Sequence, residues 1–349
     1  MAFWSFILIS VLCFAAHSEA KWKLKDNVYI IDSEWTADAQ HETITLQCNV
    51  SGNHNNTSVY WKKDNKRGRH GANWEIKVRE PRDAGNFTCW SSKNHELLSY
   101  TTLYVAKKIP IGEILENNES NNSSNFRCTA KNYSGIFTCS WMRNSESQPQ
   151  STKFAVRSLN IDTSESITCE EPIRDSATSQ RYSVSCKKER SCESAEEYQQ
   201  ISMVVDAFDE HLYENDTHSF FIRDILKPDV IECETRRIGS SRFLVTWNPP
   251  QTWSKPLSYF GLSYQIKTDE ETCAVDNPVP QENGSTVGCH IKTRGDKIYI
   301  QSKDGYNKNS SWSEWSKPCR TMAGNIPVVY EGEVEEEVAI ILCFLKRKV

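Results

Sequence analysis

Three observations predict an all-β chain built as consecutive sandwiches. Stretches such as TITLQC, KFAVRSL, RYSVSC, RFLVTW and KIYIQS are short, alternating and rich in β-branched or aromatic residues. Asn, Gly, Ser and Pro bound them, and no long helical periodicity separates them. The 349 residues leave room for about two or three domains of ordinary size.

The chain opens on an apolar run from Phe3 to Ala16, followed by Ser18-Glu19-Ala20, a small-x-small cleavage site. Residues 1–20 therefore read as a signal peptide, with Lys21 as the mature start. The stretch before the run lacks Lys and Arg, a slight irregularity, and the run is shorter than the ~20 residues of a membrane span. Of thirteen cysteines, twelve remain once Cys13 leaves, which in an oxidising compartment implies a disulfide framework. Eleven Asn-x-Ser/Thr sequons, at Asn49, Asn55, Asn56, Asn86, Asn118, Asn121, Asn122, Asn132, Asn215, Asn283 and Asn309, agree with a secreted, extracellular glycoprotein. The net charge of −5 supplies no basic field for nucleic acid.

The first module is expected over residues 21–106. Cys48 on one strand, Trp61 on the next and DAGNFTC ending at Cys89 form the immunoglobulin arrangement, a buried tryptophan against an inter-sheet disulfide. Phe87 stands where such domains usually place tyrosine. The basic stretch WKKDNKRGRH, Trp61 to His70, reads as a solvated hairpin more readily than as a site for sulfated polysaccharide.

A second module is expected over residues 107–227, beginning with a loose connector rich in Asn, Glu and Ser. Cys128 and Cys139 fall on adjacent strands of one hairpin, with Trp141 close behind, and Cys169 and Cys186 make a second pair. Pro228 fixes φ and removes a donor, a stiff stop before the third module at 228–319. There Trp247 lies on an early strand, and Cys289 is expected to bridge to Cys319. The tail, 320–349, combines EGEVEEEV with AIILCFLKRKV and is expected to be disordered. Its apolar run would reach roughly 12 Å as a helix, far short of a membrane span.

Trp312-Ser313-Glu314-Trp315-Ser316 repeats with a period of three, the polyproline II repeat, so both rings face one side. Stacked there, they can sandwich cations from a neighbouring strand at roughly 0.5–2 kcal/mol per contact. In KIYIQSK, Tyr299, Gln301 and Lys303 share a face, so lysine is the available cation.

WSEWS, together with the two cysteine pairs of the preceding module, resembles the class I cytokine-receptor family. The resemblance implies two fibronectin type III sandwiches meeting at an elbow where helical cytokines bind. It also implies arginines facing the tryptophans, from which the lysine here departs, and C-mannosylation of Trp312. With an immunoglobulin-like domain in front and no spanning segment, the order of modules is similar to the receptor-like chains of the interleukin-12 family. WKLKDNVYIID, DAGNFTC, CTAKNYSGIFTC, YENDTHSFFIRDILKPD, PQTWSKPLSYF and SSWSEWS carry that likeness as far as Cys319.

Cys192 lies in KKERSCESAEEY, a polar loop where a buried structural cysteine would be odd, and a spare cysteine in a secreted chain often bonds another chain. The resemblance implies an interchain disulfide there to a four-helix alpha subunit. The pairing of Cys233, Cys273 and Cys343 stays open, a Cys233–Cys273 bridge being one option. The family's extra free cysteine in the last module falls near Gln265 and is absent. The resemblance further implies a partner-binding pocket for an arginine at Tyr133, Glu196, Tyr259, Asp304 and Tyr306, with Asp304 as the anchor. Carboxylate and guanidinium form charge-assisted bonds that aromatic faces shield from water. Asn215 is the sequon most expected to carry a glycan.

The function so implied is that of a secreted subunit of a heterodimeric cytokine that engages cell-surface receptors, partly through its first module, with room for a homodimer. The alternative is a soluble alpha-receptor or decoy binding a helical cytokine reversibly; an adhesion protein seldom combines WSEWS with the four-cysteine module. No G-x-S-x-G, H-E-x-x-H or glycine-rich phosphate loop argues for an enzyme, no Cys/His spacing forms a closed zinc site, and no cofactor is implied.

Overall fold

The structure is a computed structural model, describing residues 21–36, 38, 41–48, 58–107, 112–116, 125–145, 147, 151–159, 166–189, 197–253, 261–269, 272–275, 287–295, 297–322 and 339–341. Cys192, Glu196, Tyr259, Cys343, the leader and seven of the sequons lie outside the described residues. The chain divides into two compact units. One holds residues 1–111 with 150–152 and 208–214; the other holds 112–149, 153–207 and 215–349.

In the first unit the strands are β1 (Lys21–Lys25), β2 (Val28–Ser33), β3 (Glu42–Gln47), β4 (Val59–Lys63), β5 (Lys66–His70), β6 (Asn73–Val78), β7 (Gly85–Ser91) and β8 (Leu97–Lys107). One sheet pairs β2, β8, β7, β4 and β5 in that order, and β3 pairs with β6 in another. Alternation explains the packing: Ile44, Leu46, Ile76 and Val78 are buried while Thr45, Gln47, Glu75 and Lys77 are exposed. Cys48 and Cys89 are bridged, with Trp61 fully buried in the same cluster. Trp61 donates its indole N–H to Gly71 O at 3.0 Å, so its one polar atom is satisfied. Phe87 is enclosed edge-on to Trp74, 5.2 Å between centroids. Without a hydroxyl it needs no corner hydrogen bond and serves as core. The basic stretch is the β4–β5 hairpin; Asp64 and Asn65 take φ of 49° and 65°, as its two-residue turn requires. Every residue of β5 is exposed.

The second unit contains β9 (Arg127–Ala130), β10 (Ile136–Met142), β11 (Lys153–Ser158), β12 (Ile167–Cys169), β13 (Ile173–Arg174) and β14 (Arg181–Lys188), followed by β15 (Ile201–Asp209) and β16 (Leu212–Phe220) apart from their tip. β14 is flanked by β10 and β12, and β9 pairs with β10. Cys128 sits directly opposite Cys139, and Cys169 opposite Cys186, so both bridges tie neighbouring strands. Trp141 stacks on Tyr182 and packs against Phe126 and Phe154.

After a 3-10 turn at Ile222–Asp224 come β17 (Cys233–Arg237), β18 (Arg242–Trp247), β19 (Leu262–Lys267), β20 (Thr272–Val275), β21 (Val287–Lys292), β22 (Tyr299–Asp304), β23 (Arg320–Thr321) and β24 (Ala339–Ile341). They form two sheets, β23-β17-β18-β21-β24 and β20-β19-β22. Trp247 meets Tyr264 between these sheets, 5.1 Å apart. No described helix is long and apolar enough to cross a membrane. The tail, expected to be disordered, contributes β24, a β-branched apolar run paired in parallel with Val287–Cys289 along an open edge.

The expected Cys289–Cys319 bridge does not form. Cys319 is bonded to Cys233, and Cys289 and Cys273 are buried and take no part in the four bridges seen among the described residues. Topology gives the reason. Glu234 pairs with Arg320, which brings Cys233 beside Cys319, with Cα atoms 4.8 Å apart. Cys289, opposite Val245, is three strands from β23. Three ladder spacings come to about 14 Å, beyond the roughly 7 Å limit of a disulfide. The same pairing excludes a Cys233–Cys273 bridge.

Candidate functional site

In the second unit, β9 and the chain after the 3-10 turn meet near the WSEWS segment, where Ser311 N donates to Leu226 O at 3.1 Å. Ala130 N donates to Ile225 O at 2.9 Å, and Lys227 N donates to Ala130 O at 2.8 Å. Lys131 pairs with Asp229 at 2.7 Å, which also accepts from the Thr252 hydroxyl at 2.9 Å. These partners hold the Asp229 carboxyl below its usual range against the opposing effect of its burial. Asn132 donates its side-chain amide to Thr252 O, and Tyr133 packs edge-on to Trp253.

At the centre, Tyr133 donates its hydroxyl to Asp304 Oδ2 at 2.7 Å. Asp304 ends β22 and is 0% exposed. Its carboxylate also accepts from Asn307 N on Oδ2 at 3.0 Å and from Tyr306 N on Oδ1 at 3.2 Å. Three donors satisfy a charge that would otherwise be costly to bury. Burial first, then the Asp304 carboxylate, pushes the Tyr133 hydroxyl far above its usual range, so it remains a donor. The same turn turns Tyr306 outward, 56% exposed. Asn307 Nδ2 reaches back to Arg223 O at 2.8 Å. Glu197 closes the ring: its carboxylate accepts from Ile222 N at 2.9 Å and Arg223 N at 3.1 Å.

Of the expected pocket, then, Tyr133, Asp304 and Tyr306 come together, and Glu196 and Tyr259 lie outside the described residues. Asp304 does not present an open carboxylate; it ties its own turn to Tyr133. Sequence reasoning passed over Glu197 and Arg223, and no local capping signal could have found them, because Glu197 lies at least 25 residues from the N–H groups it accepts from.

WSEWS lies along β22. Ser313 N donates to Ser302 O at 2.7 Å, and Ser313 Oγ accepts from Ser302 N at 3.0 Å. Ser316 repeats this with Ile300, at 2.8 and 2.9 Å, and Cys319 N donates to Ile298 O at 2.8 Å. Steps of three residues on one side meet steps of two on the strand, which is why serine recurs with period three. Lys303 lies 5.1 Å from the Trp312 ring centre, and Lys267 on β19 lies 5.6 Å from that of Trp315. Lys267 was missed because only one of the two facing strands was considered. Gln301 donates to Gln265 between the two lysines. Glu314 points the other way, to Lys227 at 2.6 Å, which lowers its carboxyl from the usual range.

A family described as "Cytokine interleukin-12p40 C-terminus" matches residues 123–209. The chain is 35% identical to interleukin-12 subunit beta of Felis catus over 326 residues, covering 88% of this chain and 95% of that protein. The Equus caballus protein is 35% identical over 323 residues, with 88% and 95% covered. The Homo sapiens protein is 34% identical over 328 residues, with 89% and 96% covered. At that identity and coverage, the chain belongs to the interleukin-12 subunit beta family.

Proposed function

We propose that this chain is the receptor-like subunit of a secreted heterodimeric cytokine of the interleukin-12 and interleukin-23 type. Cys192 bonds a four-helix alpha subunit covalently, the elbow grips it, and the assembly engages cell-surface receptors. The observation that carries the reading is the near full-length likeness to proteins named as beta subunits, since a subunit has a companion. Like its family, the chain is a non-enzymatic cytokine subunit. Four disulfides support passage through an oxidising compartment.

The elbow suits the docking role. Asp304 is fixed by Tyr133 before any partner arrives, so no ordering of the carboxylate opposes binding. Its Oδ2 is occupied by two donors, and Oδ1 holds a single long backbone bond. Both oxygens are thus spent on holding the turn, and the group this turn offers to a partner is the exposed Tyr306. The WSEWS ladder stiffens the strand from which Asp304 projects and makes no direct contact with the partner.

Two variants test the elbow in a Cys192→Ser background, with four-helix alpha chains of the same species co-expressed one at a time. Tyr306→Ala, an exposed change, is expected to weaken co-purification by about 2 kcal/mol or more, as for an interface anchor. Asp304→Asn, which weakens the acceptor holding the turn that carries Tyr306, is expected to weaken it as well. Undiminished complex from both would remove the elbow from the interface.

A further inference from the structure

Tyr198 is 90% exposed, more than any other large side chain with apolar character among the described residues. Among the described residues its hydroxyl has no hydrogen-bond partner. Nevertheless the backbone beneath it is fixed. Glu197, immediately before, holds the N–H groups of Ile222 and Arg223 on its carboxylate, and its carbonyl accepts from Arg223 Nη1 at 3.0 Å. Ile201, three residues on, is fully buried at the start of β15. A phenol is thus presented to solvent on a short, non-helical segment pinned at both ends.

The neighbouring sequence is ESAEEYQQ, Glu193 to Gln200: three carboxylates precede the tyrosine, and no Lys or Arg falls in the stretch. A tyrosine standing out from an acidic segment fits an acceptor read by a basic enzyme groove through charge complementarity. We propose that Tyr198 is a tyrosine O-sulfation site, modified in the secretory route. The phenolic oxygen attacks the sulfur of 3′-phosphoadenosine 5′-phosphosulfate and forms the new O–S bond. The sulfur–oxygen bond to the phosphate breaks, and adenosine 3′,5′-bisphosphate leaves with the electron pair. The phenol proton passes to a base of the transferase, and nothing is oxidised or reduced.

The product places a permanent anion and three acceptor oxygens beside Glu197, whose carbonyl is tied through Arg223 to Asn307, the residue after Tyr306. A docking partner with a basic residue there gains a charge-assisted bond. The inference rests only on the secretion part of the reading above.

The test is the mass of the Tyr198 peptide from full chain secreted by cultured animal cells, for wild type and Tyr198→Phe. Expected is a gain of one SO3 on the wild-type peptide, removed by arylsulfatase and resistant to phosphatase. It is absent from Tyr198→Phe and from cells grown with chlorate. A secreted chain whose Tyr198 peptide stays unmodified, or loses its added mass to phosphatase, overturns sulfation alone. A chain retained in the cells overturns the secretion reading and this inference with it.

Discussion

His218 shows how one residue sets a pH dependence. It lies between Phe220 and Phe126, 5.0 and 6.5 Å between ring centres, and its Nδ1 is buried without a hydrogen-bond partner among the described residues. Burial first, then the charge of Arg127, pushes its pKa below the usual value, while Asp216 opposes weakly. With the folded value depressed, the unfolded chain binds more protons as pH falls through about 6.5, so stability is lost on acidification. The melting temperature is therefore expected to drop between pH 7.5 and 5.5, and His218→Phe should flatten that slope. An unchanged slope in the variant would assign the acid sensitivity elsewhere. Cysteines give the second residue-scale prediction. Non-reducing peptide mapping should find Cys233 joined to Cys319, and a Cys289–Cys319 peptide would contradict the strand order. Spacing alone revealed three of the four bridges because each joins strands close in sequence or follows the Cys–Trp–Cys pattern. The fourth spans 86 residues and depends on β23 pairing in parallel with β17, which no local pattern encodes.

Among the elements, WSEWS was the most legible and still only half read. Its period implied tryptophans on one side, and both rings do face lysines. The role of the serines, accepting from the N–H groups of Ser302 and Ile300 while returning their own, required β22 to be in place. Ser316→Ala strips the side-chain acceptor from a buried N–H and is expected to cost roughly 1–3 kcal/mol in denaturant unfolding. A loss well under that would show that another acceptor serves Ile300. The lysines make the ladder weaker than one with planar guanidinium groups, which stack better on indole. Lys303→Arg and Lys267→Arg together should raise stability by ~0.5–1 kcal/mol. Tail strand β24 is the opposite case. Composition suggested disorder for 320–349 as a whole, and the partner edge that attracts Ala339–Ile341 exists only once β21 is in its sheet.

At the scale of the whole molecule, strand patterning and cysteine–tryptophan spacing made the all-β class legible without any alignment. The elbow was legible only as a set of positions implied by resemblance. What the sequence could not convey is that Asp304 is sealed by Tyr133 and its own turn, because those groups are 171 residues apart or supplied by backbone. Burial makes Asp304 a structural part, so Asp304→Ala alone would confuse folding with binding; exposed Tyr306 separates them. Covalent partnership with a helical chain is read most directly from the intact mass of the secreted protein before and after reduction. Expected is a heterodimer that reduction splits into this chain and a four-helix subunit, with Cys192→Ser secreted without the covalent link. A chain of unchanged mass on reduction, secreted alone beside every co-expressed alpha subunit, would contradict it.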